Sequence, residues 1–82
     1  MEDKFSSKEI DDFYIRVGKR VKEEREKKSL TQLQLSYLMG YKSVSLLSAA
    51  ELYTNKKHFN LEHLYKISII LNITLDELFK DL

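Results

Sequence analysis

Apolar residues along this chain recur three and four positions apart, in five runs separated by short polar or glycine-containing breaks. The first run is Ile10, Phe13/Tyr14, Val17 and Val21, in a predicted helix that extends to about Lys28. Leu35, Leu38 and Met39 form the second run, and Leu47 and Ala50 are the inward pair of a short third. Leu61, Leu64, Ile67, Ser68 and Leu71 line a fourth helix, and Leu75, Leu78, Phe79 and Leu82 a fifth. Strand-like alternation occurs nowhere. The expected fold class is therefore all-α, a compact five-helix domain with an extended first helix.

The helix starts share one local grammar. A polar cap residue has Glu or Gln three positions on, and apolar residues stand before the cap and four positions after it. Ser6 with Glu9, stapled by Phe5 and Ile10, opens the first helix. Thr31 with Gln34 opens the second, between Leu30 and Leu35. Thr74 with Glu77 opens the fifth, between Ile73 and Leu78. Asn60 caps the fourth helix, stapled by Phe59 and Leu64, but His63 stands where the acidic partner belongs. Ser43 is the expected cap of the third helix, without a box. Gly40 follows the second helix where a left-handed C-cap is wanted, and Asn72 does the same for the fourth.

Length and composition narrow the class. Eighty-two residues make a single domain, 1–82, with 1–14 extending the first helix at its N-terminus. A chain of this size buries about 60% of its unfolded surface, so its core is small. The absence of cysteine removes disulfides and thiolate metal sites, and suits a reducing, cytoplasmic setting. No apolar run approaches a membrane span, and Met1 to Ser7 does not resemble a secretory signal. No prolines and two glycines suit helices joined by tight turns. The net charge of +1 hides a distribution. Residues 1–12 carry five acids against two bases, residues 13–58 ten bases against four acids, and residues 59–82 four acids against two bases. A basic middle between acidic ends suits a local polyanion footprint. It equally suits the solvated face of a charged first helix.

Only Met39-Gly40-Tyr41-Lys42-Ser43 separates the second helix from the third, the arrangement that projects a helix into a major groove. The spacing Thr31-Gln32, Leu35, Gly40, Leu47, Glu51 resembles the phage-repressor/Cro-like helix-turn-helix family, also called Xre or lambda-repressor-like. The stretch Val17-Gly18-Lys19-Arg20-Val21, with Arg25 and Leu30-Thr31-Gln32, is similar to that family's first helix and the start of its second. Leu61 to Ile67 and Leu71 to Phe79 are similar to its last two helices. The resemblance covers roughly residues 15–80. It implies a bacterial or phage transcription regulator, such as a repressor, that binds double-stranded DNA as a homodimer on an inverted repeat.

The resemblance also implies roles by position. Gln32 matches a phosphate-contacting residue, against the alternative of a simple helix-start residue. Arg25 and Glu51 match an internal salt bridge, against two solvated charges. On a helical wheel, Val44, Ser45, Ser48, Ala49 and Leu52 lie on the open side of the third helix. The serines can each make one hydrogen bond, and Val44 and Ala49 can touch thymine methyl groups. Lys42 and Ser43 precede that helix within reach of phosphate. The other reading is that this apolar face packs on protein. Lys56 and Lys57, with His58, lie in a loop about two residues longer than the family pattern, and suit phosphate or plain solvation. Lys19, Arg20 and Lys22 are expected to be mostly solvated.

Ile69 and Ile70, with Phe79 and Leu82, are the candidate dimer interface. The alternative is that the N-terminal extension covers them. His58 and His63 alone do not make a metal site. No nucleophile or phosphate-loop motif is present, and Asp11-Asp12 and Glu23-Glu24 read as surface carboxylates. The expectation is no enzyme, catalytic residue, metal, cofactor, membrane contact or small-molecule ligand. The competing functions are a protein-interaction module on the same fold, and a restriction-modification controller or antitoxin-type autoregulator.

Overall fold

In the computed structural model residues 4–82 are described; Met1, Glu2 and Asp3, counted above in the extension, lie outside them. The apolar runs become α1 (Ser7–Lys27), α2 (Gln32–Leu38), α3 (Ser45–Leu52), α4 (Leu61–Leu71) and α5 (Leu75–Phe79). A single 3₁₀ turn, Thr54–Lys56, follows α3. Among the described residues there is no strand. The fold is all-α with five helices, as the periodicity predicts.

The core lies where the five inner faces meet. Val17 and Val21 of α1, Leu35 and Met39 beside α2, and Leu47 and Ala50 of α3 are buried with Leu64, Ile67, Leu71 and Leu78. Phe59, ahead of α4, joins them. α1 packs against α3, α4 and α5, while α2 packs against α3 and α4. Gly18 is what brings α1 and α3 so close: a methyl group there would lie 2.5 Å from the Ala50 carbonyl oxygen. Five residues of the predicted apolar runs are instead on the surface, among them Ile10 and Phe13 of α1. Leu38 is 60% exposed and Leu61 78% exposed, and Leu75 at the start of α5 is exposed. Helix α2 buries the sector holding Leu35, Ser36 and Met39, and Leu38 falls on the far side of it. Leu61 and Leu75 sit in first turns that project past the edge of the core.

The capping grammar is largely realised. Full boxes close Thr31 with Gln34 and Thr74 with Glu77. Ser6 accepts from the Glu9 N–H, but Glu9 does not reciprocate and the Phe5–Ile10 staple is exposed. At Asn60 the missing acid proves unnecessary: His63 Nδ1 accepts the Asn60 N–H at 3.0 Å, and Asn60 Oδ1 accepts the His63 N–H at 2.8 Å. The expected cap Ser43 is displaced by one position. Val44 takes the N-cap place in helical backbone geometry, and Ser43 Oγ accepts the N–H of Ser45 instead.

Helix ends share a second device. Leu30, Tyr41 and Ile73 N–H groups reach back to the carbonyls of Arg25, Ser36 and Ser68. The residue before each, Ser29, Gly40 and Asn72, is left-handed, with φ of 57°, 96° and 54°. These are Schellman closures.

Candidate nucleic-acid interface

The turn between α2 and α3 is short because the Gly40 closure reverses the chain at once. Gly40 N–H donates to the Tyr37 carbonyl at 3.0 Å, and Tyr41 N–H to the Ser36 carbonyl at 2.9 Å. Tyr41 then anchors the turn from behind, its ring edge-on to His63 and under the Lys66 ammonium at 5.3 Å.

Helix α3 is braced from its inner side. Arg25 Nε and Nη2 donate to the two carboxylate oxygens of Glu51 at 2.8 and 3.0 Å. Both side chains are buried. The third guanidinium nitrogen, Nη1, donates to the Leu30 carbonyl at 2.8 Å, and Gln32 Nε2 donates to Glu51 at 3.0 Å. The hydrogen bond to Glu51 pushes the Arg25 pKa further up, keeping the pair charged. Three segments thus converge on one carboxylate: α1, the first turn of α2, and the end of α3. Such a pair fixes geometry more than it adds net stability. Gln32, expected at phosphate, has its amide nitrogen committed to Glu51 and is half-buried.

The outer side of α3 is open. Ser45 and Leu52 are exposed, Val44, Ser48 and Ala49 half-buried. Lys42 and Ser43 are exposed at one end of this strip, and Lys56 and Lys57 in the loop beyond the other. The serine hydroxyls are satisfied locally: Ser43 and Ser45 lie 3.2 Å apart, and Ser48 donates to the Ser45 carbonyl at 3.2 Å.

The loop after α3 departs most from expectation. Tyr53, Asn55 and Lys56 all have positive φ, at 57°, 52° and 61°. The N-terminal extension of α1 contacts two of them, Tyr53 and Lys56, through Asp11. Tyr53 Oη donates to Asp11 Oδ1 at 2.7 Å, which pushes the Tyr53 pKa up to about 12. Lys56 Nζ lies 3.8 Å from Asp11 Oδ2. The Tyr14 ring stacks on His58 at 3.9 Å and on Tyr53 at 5.8 Å. Asp11, Tyr14, Tyr53 and His58 are a group that sequence reasoning did not assemble; Tyr14 was marked as apolar, and nothing local paired it with a loop forty residues on.

Arg20 was also misjudged as solvated. Its guanidinium donates to the Glu77 carbonyl at 2.8 Å, Leu78 at 3.2 Å and Lys80 at 2.7 Å, tying the end of α5 to α1. Lys19 and Lys22 are exposed as expected. The four candidate interface residues separate. Ile69 and Ile70 line a groove with Leu38, Met39, Tyr65 and Lys66. Phe79 lines another, with Phe13, Phe59, Leu61 and Leu64. Leu82 is partly buried against the core.

Two short helices meeting at a glycine-closed turn, the second held rigidly from behind and open in front, define a DNA-binding helix-turn-helix domain. A helix-turn-helix family model, of the Xre/lambda-repressor-like kind, matches residues 21–78, and the chain belongs to that family. Neither the curated proteins nor the solved structures compared with it gave a match. The stretch Asp11 to Arg20 that carries the loop clamp, Gly18 and the α5 tie lies ahead of the matched residues. Among the described residues, no helix is long and apolar enough to cross a membrane, and no cluster of acids and histidines could hold a metal.

Proposed function

We infer that the chain is a sequence-specific transcription regulator acting as a homodimer, with α3 of each subunit in the major groove of an inverted repeat. One observation carries this reading: α3 is locked by Arg25 and Glu51 yet leaves its outer strip free between Lys42 and the Lys56–Lys57 pair. Lysines at both ends of an uncharged strip place phosphate contacts on either side of a groove-facing surface. Ser43, Val44, Ser45, Ser48 and Ala49 then face base edges. Gln32 orients Glu51, and its remaining amide oxygen and the α2 N-terminus stay near the backbone.

The exposed apolar groove of Leu38, Tyr65, Ile69 and Ile70 is the surface for the second subunit. The apolar composition of the α3 strip favours a second reading, a protein-interaction module on this fold. Affinity for random duplex DNA and for the gene's own upstream region, measured by fluorescence anisotropy across a salt series, separates the two. Regulators lose log affinity linearly with log salt, the slope counting neutralised phosphates. No binding at low salt overturns the DNA reading. Ser48→Glu is expected to abolish binding while leaving the fold intact; undiminished binding shows that α3 is not the reader.

A further inference from the structure

The outer strip of α3 has almost no hydrogen bonds to offer. Between Lys42 and Lys56 the single charged residue is Glu51, and it is buried under Arg25. The hydroxyls of Ser43, Ser45 and Ser48 are engaged with one another or with the Ser45 carbonyl. What remains is aliphatic surface: Val44 and Ala49, half-buried, and Leu52, 69% exposed. Val44, Ser48 and Leu52 are spaced four apart, and Ala49 lies beside them. The strip therefore runs about 12 Å along the helix, enough to cross a few base pairs.

The polar edge groups of the major groove need donors or acceptors to tell them apart. Aliphatic surface recognises one feature there, the methyl group on C5 of a pyrimidine. A methyl against Val44, Ala49 or Leu52 is removed from water; a bare C5–H in its place leaves a gap.

We propose that α3 selects DNA by pyrimidine C5 methyl groups rather than by base-pair identity, so that thymine and 5-methylcytosine serve it equally. This rests on the DNA reading given above. A T·A pair and a 5-methylcytosine·G pair present different hydrogen-bonding groups but the same methyl group. An arginine or glutamine reader separates them with paired hydrogen bonds, whereas the uncommitted donor on this strip is the single hydroxyl proton of Ser45. Cytosine methylation at such positions then creates sites for this protein instead of destroying them.

The test begins with a duplex enriched from a random-sequence pool by the full chain. On that site each thymine is replaced by uracil, by cytosine, or by 5-methylcytosine with its complementary partner, and affinity is measured by anisotropy at fixed salt. Thymine to uracil is expected to weaken binding roughly fourfold at each position under the strip, the factor corresponding to about 0.8 kcal/mol for one buried methyl group. Cytosine weakens it by at least as much, and 5-methylcytosine restores it to within about threefold of thymine. Leu52→Ala is expected to bring the thymine-to-uracil ratio at one position toward unity while leaving the salt slope unchanged; Val44→Ala does the same at another. The exposure of Leu52 keeps the test usable if the Val44 variant folds poorly.

Uracil without effect at every thymine overturns the proposal, as does 5-methylcytosine no better than cytosine. Salt-dependent binding with no site enriched overturns it too, while leaving the protein a DNA binder. Absence of binding to any duplex at low salt removes the DNA reading itself.

Discussion

A methyl group at Gly18 would meet two backbone carbonyls of α3, 2.5 Å from the Ala50 oxygen and 2.8 and 3.0 Å from the oxygen and carbon of Glu51. Backbone cannot step aside as a side chain can. Gly18→Ala is therefore expected to destabilise the protein by about 1–3 kcal/mol, despite alanine's better helix propensity. Urea unfolding checks this; an unchanged or higher midpoint sinks it. Ser36 presents the opposite case. It is fully buried, and its hydroxyl has no hydrogen-bond partner among the described residues. Burying an unpaired hydroxyl costs about 1–3 kcal/mol, so Ser36→Ala is expected to stabilise the fold by about 1 kcal/mol. A lowered midpoint would show that the hydroxyl has a partner. Neither role was legible in the sequence. Gly18 entered only as one of two glycines and as part of the stretch Val17 to Val21 that resembles the family's first helix, and Ser36 lies outside the apolar run Leu35, Leu38 and Met39.

At the scale of elements, starts and stops were readable because they depend on residues within five positions of one another. The Thr31 and Thr74 boxes and the Gly40 turn are short-range chemistry, and they formed as expected. The clamp of Asp11 and Tyr14 on Tyr53 and His58 depends on residues some forty positions apart, so no local pattern announces it. The Asn60 box is an intermediate case, with a readable position and an unforeseen partner. Its acceptor is the lone pair of His63 Nδ1, which exists only while the ring is neutral with its single proton on Nε2. Burial lowers the His63 pKa, with smaller opposing influence from Glu62 and support from Lys66 and His58. A folded value below the unfolded one, about 6.5, means that protonation favours unfolding. The contribution is complete above the unfolded value and is lost as pH falls through the folded one. Stability between pH 7.5 and 5 is thus expected to decline more steeply in the parent than in His63→Gln, which keeps an uncharged acceptor. Parallel urea midpoints in the two proteins would rule this out.

At the scale of the molecule, the proposed dimer requires two reading helices spaced one DNA turn apart, roughly 34 Å. The sequence singled out Ile69 and Ile70, and the structure adds neighbours from another helix. Leu38, missing from the core, and Tyr65 complete an exposed apolar groove with Ile69, which is 62% exposed. Phe79 is turned to a different groove, and Asp11 and Tyr14 of the N-terminal extension, the alternative cover for the isoleucines, are engaged with the loop after α3. The groove is therefore left uncovered by the described residues of its own chain. In the proposed dimer a two-fold axis through it would pair each Ile69 with the same patch of the partner, the self-complementary contact that a dimer requires. Ile69→Glu places two buried like charges across that axis while altering little in the monomer. Sedimentation velocity is expected to show the parent as a dimer and the variant as a monomer, with unfolding stability within about 0.5 kcal/mol of the parent when both are diluted to monomers. Affinity for a complete inverted repeat falls by about 10²-fold or more as the linked second half-site is lost, whereas affinity for one half-site is unchanged. A variant that remains dimeric would move the interface elsewhere. A parent that is monomeric at hundreds of micromolar would leave α3 to bind single half-sites, with the Lys42 and Lys56–Lys57 contacts carrying most of the affinity.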